Sequence, residues 1–326
     1  MPDDYIYQVS QCDVPIERRN ALQSYRNKRK LWLSWIDTDE HHAIWQTISS
    51  MVWRDAAFKA LTHFALADEH NGLNNPLLAE ALIEGHIAMQ VLAIRRLVDK
   101  TKGVISLRQL VMDLKGNFHL LTRENCVCFD GLPYDHEAVQ KREMITHTQA
   151  GRGPWWAERS GPNAHNTSRM MHEQFDKLAG IDPMKRTRED RLPDSLRTTI
   201  EGWLDDSEAC TLANWSHAYL AHAGGPQQRE RTAAQLVTAD KITGATKALA
   251  RVTEGISRWL LFASGRTVSL MPVAQFNPFE RLDAQIMKTE ALQDAWKLWH
   301  QLSDERNHYL DGVDRELIRG SREPNP

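Results

Sequence analysis

The stretch TADKITGATKALARVTEGISRWLLFA, Thr238 to Ala263, sets the class of fold. Ile242, Ala245, Leu249, Val252, Ile256 and Trp259 recur every three or four residues, a single apolar stripe of heptad-like spacing. Gly244 and Gly255 interrupt this helix at about 1 kcal/mol each relative to alanine, so it is expected to depend on close packing against a neighbour.

The same period returns along the chain. Ile44, Ile48, Met51/Val52 and Ala56 mark a helix between Asp39 and about Asp68. Asn75-Pro76 reads as an N-cap followed by proline at the first helical position, opening a helix that runs to about Lys100. From about Ser207, Ala209, Leu212, Ser216 and Tyr219/Leu220 form one face, and Gly224, Gly225 and Pro226 end it. A terminal helix pair is expected over 283–300 and 303–319, with a frayed SREPNP tail.

Three regions do not read as helix. Asn117–Asp135 alternates Phe118, Leu120, Val127 and Phe129 before Gly131-Leu132-Pro133, which suggests an irregular loop or small hairpin laid on the helices. Gln149–Asn166 is rich in glycine and proline, and Val268–Phe279 holds Pro272 and Pro278. No glycine fingerprint of a dinucleotide or P-loop fold is present, nor a strand series for a parallel sheet. The expected fold is mainly α: a compact multi-helix bundle with an irregular or hairpin insertion around 117–135. It divides into a basic amphipathic segment (1–34), the bundle (35–280), and a C-terminal helix pair with its tail (281–326).

Composition bounds the rest. The 326 residues are 41% apolar, enough for a sizeable core, and mean hydropathy is -0.53. Eleven tryptophans cluster as Trp32/Trp35/Trp45/Trp53, Trp155/Trp156 and Trp296/Trp299, suggesting anchors between helices. Net charge is -3, so no global positive field draws in nucleic acid. The local run Arg18, Arg19, Arg26, Lys28, Arg29 and Lys30 reads as a solvated helix face. The N-terminus lacks an apolar core for a signal, and no apolar run approaches the roughly 20 residues of a spanning helix. Four cysteines, with one CxC pair at Cys126 and Cys128, read as reduced thiols. A cytoplasmic protein without membrane, metal or cofactor is the expectation.

Three strings could carry chemistry. In IRRLVDK, Arg95 and Asp99 stand four apart and Arg96 and Asp99 three apart, so on a helix one carboxylate faces both guanidiniums. Arginine there suits bidentate phosphate or carboxylate recognition, though a surface ion pair explains the string equally. In LLTRENCVCFDGLPYD, Arg123 either anchors the loop by pairing with Asp130 or Asp135, or holds a ligand with Glu124 and Asp130 orienting it. In NWSHAYLAHAGG, His222 falls in a last helical turn, where it either donates to a carbonyl or works as an acid or base near neutral pH. His217 lies five residues earlier, about 140° around the axis, so the two do not chelate one metal. No serine or cysteine nucleophile motif occurs.

These strings, with ISLRQLVMDL between the first two, resemble the HEPN-like proteins of the abortive-infection AbiU-type group, from about Trp35 to Phe279. The resemblance implies a helical bundle, often dimeric, from a superfamily that includes metal-independent ribonucleases of phage defence and toxin systems. It implies a motif of arginine, often followed by asparagine, then four to six residues to a histidine. His222 matches that histidine, but Ser216 and His217 stand where the arginine is expected. Arg306-Asn307-His308 has the residue types at the wrong spacing. Two functions are expected on this basis. One is an RNA-targeting defence or toxin protein, with His222 as acid/base, Arg95 and Arg96 supplying the catalytic cation, and Arg96 and Arg123 holding phosphate. Asp99, Glu124 and Asp130 would orient those arginines. The other is a non-catalytic helical module that binds a nucleotide or a protein partner. A homodimer is the expected assembly.

Overall fold

The computed structural model describes residues 5–150, 158–221, 227, 237–263, 270–271, 273–282, 284 and 291–308. Helices are α1 (Arg19–Leu33), α2 (Ile44–Ala67), α3 (Pro76–Leu97), α4 (Leu107–Gly116), α5 (Arg123–Cys128) and α6 (His136–Ala150). They continue with α7 (His165–Ala179), α8 (Asp194–Asp205), α9 (Ala209–Ser216), α10 (Ala239–Glu254) and α11 (Ala291–Asn307). The fold is mainly α, with no strand among the described residues.

Caps explain several boundaries. The Asn75 side chain accepts from the Leu77 and Leu78 amides, with Pro76 following as expected. Thr238 accepts from the Lys241 amide to open α10, and Ser106 from the Gln109 amide to open α4. Helix α3 stops at Leu97, a turn short of Lys100, and Asp99 therefore lies beyond the helix.

The apolar stripe of α10 holds along that helix and then slips. Ile242, Ala245, Leu249, Val252 and Ile256 are buried, but Trp259 is exposed and Leu260 takes its place. The cause is a π turn over Gly255–Leu260, in which Leu261 donates to the Ile256 carbonyl at 2.9 Å. Each such turn takes in an extra residue and rotates the chain beyond it. A second π turn, His217–Ala221, does the same after α9: Ala218 is buried while Tyr219 and Leu220 face outward.

One buried cluster joins α1, α2, α3, α4, α5 and α7 to α8, α9 and α10. Helix α3 packs along α9 and α2, α10 against α2, α8 and α9, and α5 against α7. The N-terminal basic segment belongs to this core. Arg26 stacks 4.0 Å from the Tyr5 ring and donates to the Tyr7 carbonyl, while Arg29 stacks 4.0 Å from Phe129 and donates to the Leu261 carbonyl. The reading of that run as a solvated face is thus corrected: a guanidinium satisfied by carbonyls and a ring can line a core where a solvated ammonium would not.

Other expectations change too. Segment 117–135 contains no hairpin: a 3-10 turn at Phe118–Leu120 leads into α5, all six residues of which are buried. The break expected near residues 300–303 is absent, since α11 runs through it, and Trp296 and Trp299 are exposed rather than packed. Gly244 meets no neighbour, whereas a Cβ on Gly255 would lie 3.3 Å from the Trp203 ring. Helix α3 is long and apolar enough to cross a membrane by length and composition alone, which corrects the expectation that no such run exists. The SREPNP tail, Trp155 and Trp156, and the stop at Gly224–Pro226 lie outside the described residues.

Candidate functional site

The site builds from the start of α5. Thr122 caps this helix by accepting from the Asn125 amide, and a loop rich in charge, 185–191, is laid across it. Backbone pairing fixes the loop: the Arg123 amide donates to the Asp190 carbonyl at 2.8 Å and the Glu124 amide to the Arg188 carbonyl at 3.2 Å. Two layers of ionic side chains result.

The inner layer centres on Arg123, which is 0% exposed. Its guanidinium contacts Asp176 at 2.7 Å and Asp190 at 2.8 Å and lies 4.6 Å from the Phe175 ring centre. Arg186 holds the other side of Asp176, and Thr187 donates to Asp190. His172 completes the layer. Its Nε2 lies 2.9 Å from the Tyr134 carbonyl and its Nδ1 3.4 Å from Arg123, so the neutral ring donates to Tyr134 and faces Arg123 with its lone pair. Burial first, then the adjacent Arg123 charge, push its pKa down to about 4 against the raising effect of the Tyr134 carbonyl.

The outer layer is an open cleft of about 250 Å³ whose lining includes Arg18, His119, Glu124, Arg188, Glu189 and Arg191. Glu124, only 3% exposed, takes Arg188 at 2.7 Å and Arg18 at 3.7 Å. Arg18 also pairs with Glu189, and Arg188 with Asp13 at 3.0 Å. Arg191 and His119 are exposed, and no described residue pairs with their side chains. A cation and an imidazole therefore stand uncommitted at the mouth of a polar cleft. Of this set, sequence reasoning named Glu124 as an orienting residue but passed over Arg188, Glu189 and Arg191, although the charged run Lys185–Arg191 between Pro183 and Pro193 marks them.

The residues singled out from sequence do not gather. Arg95, Arg96 and Asp99 sit at the end of α3 beside the start of α4, since Ser106 donates to the Asp99 carbonyl at 2.6 Å. Arg123 and Glu124 lie past the other end of α4, whose ten residues span about 15 Å. Arg96 contacts His42 Nδ1 at 2.9 Å. Asp99 accepts from the Thr101 amide at 2.7 Å, and hydrogen bonds from Thr101, more than the Arg95 charge, hold its pKa low. Asp99 thus caps a turn more than it orients both arginines as expected, because the helix ends before it. Arg123 pairs with neither Asp130 nor Asp135. Asp130 accepts from the Tyr7 amide at 3.0 Å and Asp135 from the Ala138 amide at 2.9 Å. With Arg123 sealed, a phosphate in solvent does not reach it, and the expectation that it holds one is corrected.

His222 lies outside the described residues. The element leading to it begins beside Arg108, which contacts Cys210 at 3.4 Å near the end of α3. It packs along α3. His217 is exposed on the π turn. The CxC pair is buried, and burial pushes Cys126 up to about 12. Among the described residues no group of histidines, cysteines and carboxylates could hold a metal ion.

No protein-family model, curated protein or solved structure matches this chain.

Proposed function

We propose that this chain is a helical module that binds a phosphate-bearing ligand, RNA being the class the HEPN-like resemblance favours, and holds it without cutting. The observation that carries the reading is the cleft beside α5, where Arg191 and His119 stand free among arginines already committed to carboxylates. Committed pairs fix the shape of the cleft, and an uncommitted guanidinium offers a phosphate two parallel donors without first breaking an ion pair. Net charge of -3 places attraction in this local patch rather than in a global field.

Cleavage is the weaker reading. An imidazole and a carboxylate share the cleft, the residue types for metal-independent acid–base chemistry on a 2′-hydroxyl. Yet Glu124 is engaged by both Arg188 and Arg18, which leaves His119 without a free basic partner.

The test is fluorescence anisotropy with a short labelled single-stranded RNA. Losing a charge-assisted hydrogen bond costs about 1.5–3 kcal/mol, so Arg191→Ala should weaken binding about tenfold or more. It should also flatten the salt dependence of binding. The Arg95→Ala/Arg96→Ala double variant, altered at the far end of α4, should bind as wild type does. The opposite pattern would move the site to the end of α3 and overturn this reading. RNA fragments formed in chelator, and abolished by His119→Ala or by His222→Ala, would make the protein a ribonuclease and name which histidine works.

A further inference from the structure

A second feature is independent of the polar cleft. Helices α2 and α3 enclose an apolar groove of about 370 Å³, lined by Phe58, Leu61, Leu82, Ile83 and Ile87 and closed at one side by Ile242 of α10. Leu66 at its rim is 82% exposed, and Leu82 and Ile83 on the α3 side are exposed as well. Elsewhere on the chain, α11 presents the complementary surface. Its sequence repeats Leu292, Trp296, Trp299 and Leu302 at three- and four-residue spacing, yet Trp296 is 66% and Trp299 57% exposed. Among the described residues, none from α11 lines the groove of its own chain.

We propose that α11 of one copy seats in the α2–α3 groove of a second copy, and reciprocally, so that two chains exchange these helices about a two-fold axis. An amphipathic helix presenting large anchors at such spacing is what an apolar groove between two helices receives. Tryptophans are the anchors that carry most binding energy in such seats. Both surfaces being on one chain, the reciprocal exchange closes on itself and leaves neither exposed. The exposed parts of the two indoles offer on the order of 90–165 Å² each, and the groove buries a like amount, so two seats come to roughly 700–1,200 Å², the low end of specific interfaces.

Light scattering coupled to gel filtration tests this on the full chain. Wild type should run as a dimer. Trp296→Asp/Trp299→Asp, which disables the helix, and Ile83→Asp, which disables the groove, should each run as a monomer with unchanged circular dichroism. Leu66→Asp serves as a second groove variant, because that side chain already faces water. Mixing the helix variant with a groove variant should restore a pair through the one intact seat, and that recovery belongs to exchange alone. A wild-type monomer would overturn the proposal, whether the helix then closes on its own groove or the protein instead floats with lipid vesicles. A dimer that survives both classes of variant, or a mixture that fails to pair, would overturn it as well.

Discussion

Arg123 shows what a single buried charge does here. Taking a guanidinium to 0% exposure is costly unless its neighbours answer it; Asp176, Asp190 and the Phe175 ring do so, and only its Nη2 is left without a hydrogen-bond partner among the described residues. Removing it takes from Asp176 and Asp190 the cation they share, leaving Asp176 to Arg186 and Asp190 to Thr187. Arg123→Ala should therefore lower stability by about 3–5 kcal/mol, read as a shift of the urea midpoint. A change below about 1 kcal/mol would mean that the pairs are as weak as surface ones. The string LLTREN announced an anchored arginine but not its partners. Asp130 and Asp135 were near in the chain, whereas Asp190 is 67 residues away. Ion pairing has no period, so spacing could not select the distant partner. The DG turn was legible because it has local chemistry: Gly131 adopts φ 78°, and the Tyr7 ring lies against it where a side chain would stand.

Among the helices, α10 sets two glycines in contrast. Gly244 is exposed in a helix interior with nothing near its Cβ position, so Gly244→Ala should stabilise the protein by about 0.5–1 kcal/mol through helix propensity. At Gly255 the same propensity gain is opposed, because the new methyl would press on Trp203 at 3.3 Å. Gly255→Ala should gain less than Gly244→Ala or lose stability, and thermal melts of both variants compare them directly. Equal gains would show that the α8–α10 contact yields freely. Long helices and the Asn75 cap were legible because a stripe over several turns and an Asn-Pro pair at its head are local signals. The π turns were not, since the apolar spacing before them gives no warning that a residue is about to be added. Helix α5 escaped for another reason: six residues buried on every side have no polar face to reveal a period. The candidate cleft was half legible, through Glu124 but not through Arg191 and His119, because it forms where distant segments meet.

The molecule as a whole carries a pH dependence in its buried imidazoles. His86, His136 and His172 are each pulled below the ordinary histidine value, with burial the leading cause in all three. The unfolded chain takes up these protons near pH 6.5, while folded His172 waits until about 4. Between those values the unfolded state binds more protons, so stability is full above the window and falls as pH drops through it. Each pH unit is worth about 1.4 kcal/mol, and His172 alone accounts for a loss on the order of 3 kcal/mol across the window. Lowered carboxylates such as Asp190 act separately, since their contribution fades only below the ordinary carboxylate range, near pH 4. His172→Gln keeps a donor for the Tyr134 carbonyl and an acceptor for Arg123 but does not titrate. Urea midpoints measured across the window should slope steeply for wild type and less for this variant. Parallel slopes would assign the acid sensitivity to His86 and His136 instead. The expected difference comes from position, because His172 on α7 joins the carbonyl before α6 to the arginine that begins α5, and a proton placed there repels Arg123 at the centre of the inner ionic layer.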